Sequence, residues 1–525
     1  MAKLNDINTK DILSAISMGC DAMSSCFNAD DENIPYFRAI IKPSAFLGIS
    51  LESHMPGRHL NALLNVEDST GIDISEEAVD NHTRAAFLSY SGALAFPMDR
   101  GPFITSTQTK TPNVFNPHHI REGFHALYSL IKYRNSNQAE QIAEKSIKDI
   151  TDHWNPITDW DYERIENKYG IKCEKSKVFV SGLARAIGPL VKYYKTTKSV
   201  NALGLALVLK EKLLEEVFDE QGSFDIDRFG THTHSITCVM SSLAQLAELT
   251  KDSTLMNRVK AFYDNGLWSM RDELGWSVEN CGEGPNPDEG EMNNTGDIVE
   301  TALILGDWGY TEYYGDAERI LRCHILPSQL RDISFIKDPA NPNKSDGKIN
   351  VGPRLQGAWG FPAPFGHEPL ENKRIRFNLD VVGGTVASLC EAYRSLSSLK
   401  NNTISINLLF NQDNEHVKIT SPYPSNQIDI LPKSTMPLSL RIPKWVSRNN
   451  IKISNPANTD PIWTNGYCMF PAVTPGKVIS LSTPLRVQTL NLKHKTRNIE
   501  VKLRGDEVMA MQNFGADLTF FEPID

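Results

Sequence analysis

Apolar residues recur at intervals of three and four through the first 398 residues, and the periodic segments arrive in pairs. They run over 78–94, 120–133, 139–153, 178–194, 200–217, 236–249, 255–270, 298–305, 317–330 and 386–396, a spacing that predicts helices with one apolar stripe each. With 55–66 and an earlier N-terminal helix the count comes to about a dozen. Paired helices in such number bury their stripes either in an open solenoid or in a closed toroid of six hairpins with an inner and an outer ring. A solenoid shows self-similarity at a fixed period, and these segments differ in length and wording. Closure is expected, with the long loops of one end converging on the axis and forming the pocket there.

Near residue 400 the texture changes. Short, partly alternating segments at 403–410, 417–420, 427–430, 438–442, 451–454, 467–470, 478–482 and 499–503 are separated by Asn, Pro and Gly, as in an antiparallel sandwich. At 525 residues the chain exceeds what one hydrophobic core supports. The expected architecture is therefore an (α/α)6 toroid of helical hairpins over 1–398, followed by an antiparallel β-sandwich over 399–525. Titratable groups are sparse in the second part, so it is assigned support and not chemistry.

A net charge of −10 gives no general attraction to phosphate backbones, and nucleic acid is excluded as a partner. Eight scattered cysteines with no Cys-x-x-Cys pair read as reduced, mostly buried thiols. The opening Met-Ala-Lys-Leu-Asn-Asp lacks the apolar core of a signal peptide, and no apolar run reaches membrane-spanning length. A cytoplasmic protein without membrane contact is expected from the chain as written, or a periplasmic or secreted one if a signal peptide preceded it. A homodimer is left open.

The chemistry points to one loop. Between Glu279 and Asp297 stand Glu279, Glu283, Asp288, Glu289, Glu291 and Asp297 with no Lys or Arg among them, on a backbone broken by Gly and Pro. Crowded carboxylates without cations repel, so some should keep their protons near neutrality, as glycosidic cleavage by paired acids requires. The order of ligands in an EF-hand is absent.

The C-terminal part carries the most specific wording. Pro437-Leu-Ser-Leu-Arg-Ile-Pro-Lys-Trp445, Thr464-Asn-Gly-Tyr467, Pro475-Gly-Lys-Val-Ile-Ser-Leu481 and Leu503-Arg-Gly-Asp-Glu-Val508 resemble, in that order, the C-terminal region of the β-L-arabinofuranosidase family of glycoside hydrolases. Asp297-Ile-Val-Glu-Thr-Ala-Leu-Ile-Leu, Tyr314-Gly-Asp-Ala-Glu-Arg319 with His324, and His232-Thr-His-Ser235 with Leu246-Ala-Glu-Leu-Thr-Lys-Asp252 resemble its barrel. The resemblance implies an (α/α)6 barrel joined to a β-sandwich, and a carbohydrate-cleaving activity. It also implies zinc on a Glu-x-Cys element and a Cys pair, with one thiolate as nucleophile. Here those places read Glu291-Met-Asn293 and Asp380-Val-Val-Gly-Gly384. The thiols are missing, so neither that zinc nor a thiolate mechanism is expected, and no cofactor is assigned. By the same resemblance Glu283 matches the acid/base Glu and Glu291 the ligand Glu, freed here to act as base or nucleophile.

Asp380, just before Gly383-Gly384, is a third acid. His232 and His234 flank Thr233 at a helix start; two residues apart on a helix they do not share a face, so one is expected to line the pocket and the other to pack. Leu51-Glu-Ser-His-Met-Pro-Gly-Arg-His-Leu60 brings His54 and Arg58. Arg58 is either a bidentate clamp for a substrate carboxylate or a partner of Glu52 or Glu67. A clamp would mean an acidic sugar, and would resemble the six-hairpin β-glucuronidases and unsaturated glucuronyl hydrolases. Glu122, in Pro117-His-His-Ile-Arg-Glu-Gly-Phe124, is read as serving its helix dipole. Trp359, Phe361, Phe365 and His367, within the loop from Gly357 to Glu368, form either a sugar platform or a plug. The expectation is an exo-acting glycoside hydrolase on an oligosaccharide, with a non-reducing-end uronic acid ahead of arabinofuranose. A lyase or sugar epimerase, or a silent sugar-binding homologue, is the alternative.

Overall fold

The computed structural model describes residues 3–100, 111–284, 286–371, 373–423 and 425–524. Twelve helices form the ring: α1 Ile12–Ser24, α2 His54–Thr70, α3 Glu76–Ser89, α4 Ile120–Arg134, α5 Asn137–His153, α6 Ile187–Thr197, α7 Val200–Glu216, α8 Thr233–Thr250, α9 Ser253–Asp264, α10 Met292–Trp308, α11 Tyr313–Ile320 and α12 Asp380–Ser395. The even-numbered helices pack side by side in chain order, and α12 returns to α2. That contact closes the inner ring. Each inner helix backs onto an outer one, α2 on α3 through α10 on α11, while α12 takes α1 from the N-terminal end.

Burial follows the two roles. Inner α2 is buried at every position from His54 to Val66, and α8 at every position from Thr233 to Ala244. A helix enclosed on all sides keeps no solvent face. Outer α5 buries Ala139, Ala143, Ser146, Ile147 and Ile150, one stripe with the opposite face in water. Inner helices also approach closely where glycine allows it. A methyl group at Gly57 of α2 would overlap the Glu122 carbonyl of α4, and one at Gly383 of α12 would come 2.8 Å from the Arg58 carbonyl of α2.

Beyond the ring, two five-stranded sheets face one another. One runs in the order β5, β6, β10, β13, β12: Ser397–Lys400, Thr403–Ile406, Leu438–Arg441, Tyr467–Phe470 and Ile462–Thr464. The other runs β7, β8, β9, β14, β11: Gln412–Asp413, Val417–Thr420, Gln427–Pro432, Ile479–Ser482 and Lys452–Ser454. Strands alternate buried and exposed positions, as in Val417–Thr420, and the inward residues, Ile404, Ile406, Ile430, Leu438 and Ile479 among them, form one core. The pairs within the sandwich are antiparallel except Thr403–Ile406 against Leu438–Arg441. A further sheet, Val487–Lys493, Asn498–Arg504, Glu507–Met511 and Glu522–Pro523, shares a core with Leu274, Cys323 and Phe365 of the helical part. Arg441 of the sandwich pairs with fully buried Glu318 of α11, whose Oε2 also accepts from the Leu409 amide at 3.0 Å. Sandwich and ring are bolted through that carboxylate.

Two segments depart from the periodicity. Ile34–Lys42 and Phe46–Ser50 pair as an antiparallel hairpin, here β2 and β3, and on the other edge of β2 lie Phe27–Asn28 (β1) and Ile375–Asn378 (β4). The stretch 178–194, expected as one helix, is two 3-10 turns followed by α6. Gly182, with φ −114° and ψ −125°, interrupts it. No helix among the described residues is long and apolar enough to cross a membrane.

Gly57→Ala tests the close approach of α2 to α4. Overpacking at such a contact costs about 1–3 kcal/mol, so thermal or urea denaturation should show a clearly lowered midpoint, whereas Gly204→Ala, inside outer α7 with open space around it, should raise it slightly, since alanine is the better helix former.

Candidate active site

The N-terminal ends of all six inner helices meet at one end of the ring. They bring His54 and Arg58 (α2), Arg121 and Glu122 (α4), Arg185 in the 3-10 turn entering α6, His232 and His234 (α8), Glu291, Asn293 and Asp297 (α10), and Asp380 (α12). Outer α1, α3, α5, α7 and α9 each start under an Asp or Ser side chain that accepts an amide bond. None of the six inner helices has such a cap. Their amide groups and dipoles thus present positive potential at this end, which is where the acids collect.

Glu122 is the knot of the cluster. Its side chain is fully buried, and Oε1 accepts from Arg58 Nη2 at 2.8 Å, Arg121 Nη1 at 2.9 Å and Arg185 Nη2 at 2.9 Å. Burial opposes its charge, but Arg185, Arg58 and Arg121 outweigh this and hold the carboxyl well below the usual range. Neither Glu52 nor Glu67 is the partner of Arg58. Its Nε lies 3.2 Å from Asp380 Oδ2, so its fork is occupied by two protein carboxylates. Arg121 Nη2 reaches Asp297 Oδ1 at 3.6 Å, and Thr237 donates to Asp297 Oδ2 at 3.1 Å.

Two carboxylates are pushed in opposite directions. Asp380 is buried, which by itself would raise its pKa, yet the hydrogen bond from His54, whose Nε2 is 3.5 Å away, and the charge of Arg58 bring it below the ordinary value. Among the described residues Glu291 accepts one bond, from Asn293 Nδ2 at 2.9 Å, and His232 Nε2 lies 3.8 Å from its other oxygen. Burial, then the charges of Glu279 and Asp380, push Glu291 up to about 8. Glu279, at the rim, rises to about 7, chiefly by burial. One acid holds its proton at neutrality and the other does not.

Both imidazoles of the His-Thr-His run face the cluster, with ring centroids 5.8 Å apart. The expectation that one would pack away fails because His232 is the extended N-cap residue, φ −82° and ψ 97°, and helical spacing begins only after it. His232 is 37 % exposed and reaches the mouth; His234 is buried, 3.5 Å from Asp297 Oδ2 and 3.2 Å from Arg58 Nη2. His232, His234 and Glu291 could together offer ligand atoms to a metal ion, but the guanidinium groups beside His234 oppose a cation there. Zinc held by one Glu and three thiolates does not fit. Asn293 and Gly384 do meet, since a methyl group at Gly384 would overlap Asn293 Oδ1, but neither brings sulfur.

The other sequence candidates lie elsewhere. Glu283 is exposed on the loop and is not brought into the cluster. The loop is also not free of cations once folded: Arg376, from β4, pairs with both Glu279 and Glu289, and Arg497 lies 2.8 Å from Asp288. Pro285 of this loop lies outside the described residues. Trp359 is fully buried, donates from Nε1 to the Ile325 carbonyl at 2.8 Å, and lies against Gly19 of outer α1. It plugs the space between the rings and offers no open face for a sugar. Phe361 is covered by the Arg376 guanidinium and Phe365 belongs to the core under the last sheet. His367 is buried against Phe520, 4.9 Å between centroids, away from the cluster.

Sequence reasoning missed Arg185, Arg121, Asn293 and the second layer around Glu52. There His119 Nδ1 sits 3.4 Å from Asp99 and 2.8 Å from Ser53 Oγ, and His54 Nδ1 is 3.6 Å from Glu52. A run such as Pro117-His-His with an acid in the first helical turn was the available signal. The partners of Glu122 come from residues 58 and 185, which no local pattern connects.

Glu122→Gln leaves three guanidinium groups around an uncharged amide. Removing one partner of a buried ion pair costs about 3–5 kcal/mol, so a large fall in the unfolding midpoint is expected, read by circular dichroism. Because the Glu122 pKa is depressed in the folded state, its contribution is present at neutral pH and lost on acidification. The gap between wild type and variant should narrow as pH falls below the ordinary carboxylate range.

Neither the comparison with family models nor that with curated proteins gives a match. Solved structures do. A GH127 β-arabinofuranosidase matches with a TM-score of 0.57 at 12% identity, over 96% of this chain and 83% of its own. A GH127 β-L-arabinofuranosidase from Geobacillus stearothermophilus T6 matches with 0.55 at 12% identity, over 94% and 80%. A sugar epimerase from a ruminal bacterium matches with 0.52 at 11% identity, over 73% of this chain and 98% of its own. The chain thus shares the fold of these proteins, a six-hairpin helical barrel that in the first two comparisons extends through the β-domain as well.

Proposed function

We propose that the protein is an exo-acting glycoside hydrolase in which Glu291 is the general acid and Asp380 the carboxylate that activates water or attacks carbon. The observation that carries the reading is the opposed shift of these two groups within one buried cluster: Glu291 raised to about 8, Asp380 lowered. Paired carboxylates with proton affinities driven apart divide the two roles of glycosidic cleavage between them. The acid role expected of Glu283 passes to Glu291, because Glu283 stands in solvent. Each step uses groups of this chain. Glu291 gives its proton to the leaving oxygen, and Asn293 and His232 hold its carboxyl in place. Asp380 stays ionised through Arg58 and His54 and acts on the opposite side of the scissile bond. The fold shared with two β-arabinofuranosidases supports the reaction class.

A terminal uronic acid is the preferred sugar, and Arg38 rather than Arg58 is the residue proposed to meet its carboxylate. Arg38 is on β2 and half-buried, and its Nε has no hydrogen-bond partner among the described residues. Burial, then the charge of Arg376, lower its pKa below the usual guanidinium value, with Glu52 and Glu279 of the site in charge range. A cation with no ion-pair partner among the described residues, at the rim of an acidic site, favours an anionic group on the ligand. Epimerisation is the second reading, favoured by the neighbouring rings of His118 and His232, 5.4 Å between centroids.

The test is a panel of aryl β-glucuronides, α- and β-arabinofuranosides and plant oligosaccharides, read by product chromatography. Hydrolysis of a glucuronide is expected, and Glu291→Gln and Asp380→Asn should each lower kcat by about 10²–10⁴-fold, with the unfolding midpoint retained in Glu291→Gln and lowered in Asp380→Asn, which breaks the buried pair with Arg58. Glu283→Gln should stay near wild type. The rate should fall as pH rises through about 8, where Glu291 loses its proton. Full turnover in Glu291→Gln sinks the assignment, and an isomerised sugar with no hydrolysis selects the second reading.

A further inference from the structure

Behind the active end, in the wall formed by α1, α2 and α3, three side chains converge that the proposed reaction does not use. Cys26 follows the end of α1, His59 is on α2 and His82 on α3; their relative exposures are 1%, 0% and 0%. His59 Nδ1 and His82 Nε2 are 3.1 Å apart, and Cys26 Sγ lies 3.9 Å from the first and 4.0 Å from the second. The Met23 carbonyl oxygen is a fourth donor atom, 3.2 Å from Cys26 Sγ and 3.3 Å from His82 Nε2. These five separations resemble the edges of one tetrahedron. An ion with metal–nitrogen bonds of about 2.0–2.1 Å and metal–sulfur bonds of about 2.3 Å places its donor atoms about 3.3–3.6 Å apart.

The surroundings of His59 fit as well, whereas His82 Nδ1, which carries that ring's proton when Nε2 ligates, is buried with no hydrogen-bond partner among the described residues. The far nitrogen of His59, Nε2, bonds the Leu379 carbonyl at 2.7 Å. That bond puts the proton on Nε2 and leaves Nδ1 a lone pair aimed at the cluster, the outer-shell arrangement typical of ligating imidazoles. An apolar shell excludes water, with the Phe27 ring 4.7 Å from that of His82. The donors come from the end of α1 and just beyond it, from α2 and from α3, and thiolate with two imidazoles suits zinc or cuprous copper.

We propose that Cys26 Sγ, His59 Nδ1 and His82 Nε2, with the Met23 carbonyl, hold one zinc or cuprous ion that pins α1, α2 and α3 together. On binding, the Cys26 thiol proton leaves to solvent, the sulfur–metal bond replaces the S–H bond, and nothing is oxidised or reduced. The ion is structural. Its reach toward the chemistry is indirect, since His59 bonds the carbonyl of Leu379, the residue before Asp380. The site is separate from Glu291, Asn293 and Gly384 and does not depend on the reaction proposed above.

The full chain should be produced in zinc-supplemented and, separately, copper-supplemented medium, and its metal content read by elemental analysis and by intact mass under native conditions. One equivalent per chain is expected, and which medium supplies it distinguishes the two ions. The metal should be lost in Cys26→Ala and His82→Phe and kept in Glu291→Gln. Retention in Cys26→Ala, or loss in Glu291→Gln, overturns the proposal. Should the Cys26 and His82 variants fail to fold, unfolded wild type is stripped of metal by a chelator, the chelator is removed, and the chain is refolded with or without added zinc, cuprous ion or cobalt. A higher unfolding midpoint with zinc or cuprous ion and a thiolate-to-cobalt charge-transfer band with cobalt support it; equal midpoints and no band refute it.

Discussion

The end of the ring where the inner helices begin is held by one fully buried carboxylate. Glu122 draws the guanidinium groups of Arg58, Arg121 and Arg185 onto a single oxygen, and so ties α2, α4 and the entry to α6 into one charged unit. Three cations in a water-excluded place would repel one another strongly without it. Around this knot the other acids sort themselves. Asp380 shares Arg58 and stays ionised, Asp297 shares Arg121 and Thr237, and Glu291, served by one amide and an imidazole, is left to hold its proton.

Closure of the ring makes that sorting possible. Six inner helices running the same way bring six uncapped N-termini to one end, and their dipoles add to a field that favours negative charge. Glycines at 57 and 383 let the backbones of α2, α4 and α12 come close enough for side chains rooted on different helices to touch. The edge of the site is lined by β2 and β4, which contribute Arg38 and Arg376. The same sheet that escapes helical periodicity therefore supplies the cations of the mouth.

Much of the architecture was readable. Three-and-four spacing located most of the ring, and the absence of a repeat favoured closure over a solenoid. Alternation and Asn/Pro/Gly punctuation located the sandwich strands to within a few residues. The β2–β3 hairpin was missed because nine residues such as Ile34–Lys42, buried at six positions, carry no clear period of either kind. The candidate site was half legible. Glu291, Asp380, His232, His234, His54 and Arg58 sit together in the cluster, whereas Glu283, Trp359 and His367 do not. A loop position or an aromatic-rich stretch says what a residue type could do, and burial against distant segments decides whether it is presented. Trp359 shows this, since its plane is filled by α1, from the other end of the chain.

By itself the sequence determined the paired helices that make the ring, the change to strands near residue 400, and the absence of thiols from Glu291-Met-Asn293 and Asp380-Val-Val-Gly-Gly384. Those properties are local and follow from spacing and side-chain type. Tertiary structure decided which acids keep a proton. Glu279, Glu289 and Asp288 look uncompensated in their own loop and meet Arg376 and Arg497 from more than 80 residues away. A pKa is set by everything within a few ångströms in a medium of low polarity, and only the assembled ring, with β4 and the C-terminal sheet packed against it, brings those groups within that range.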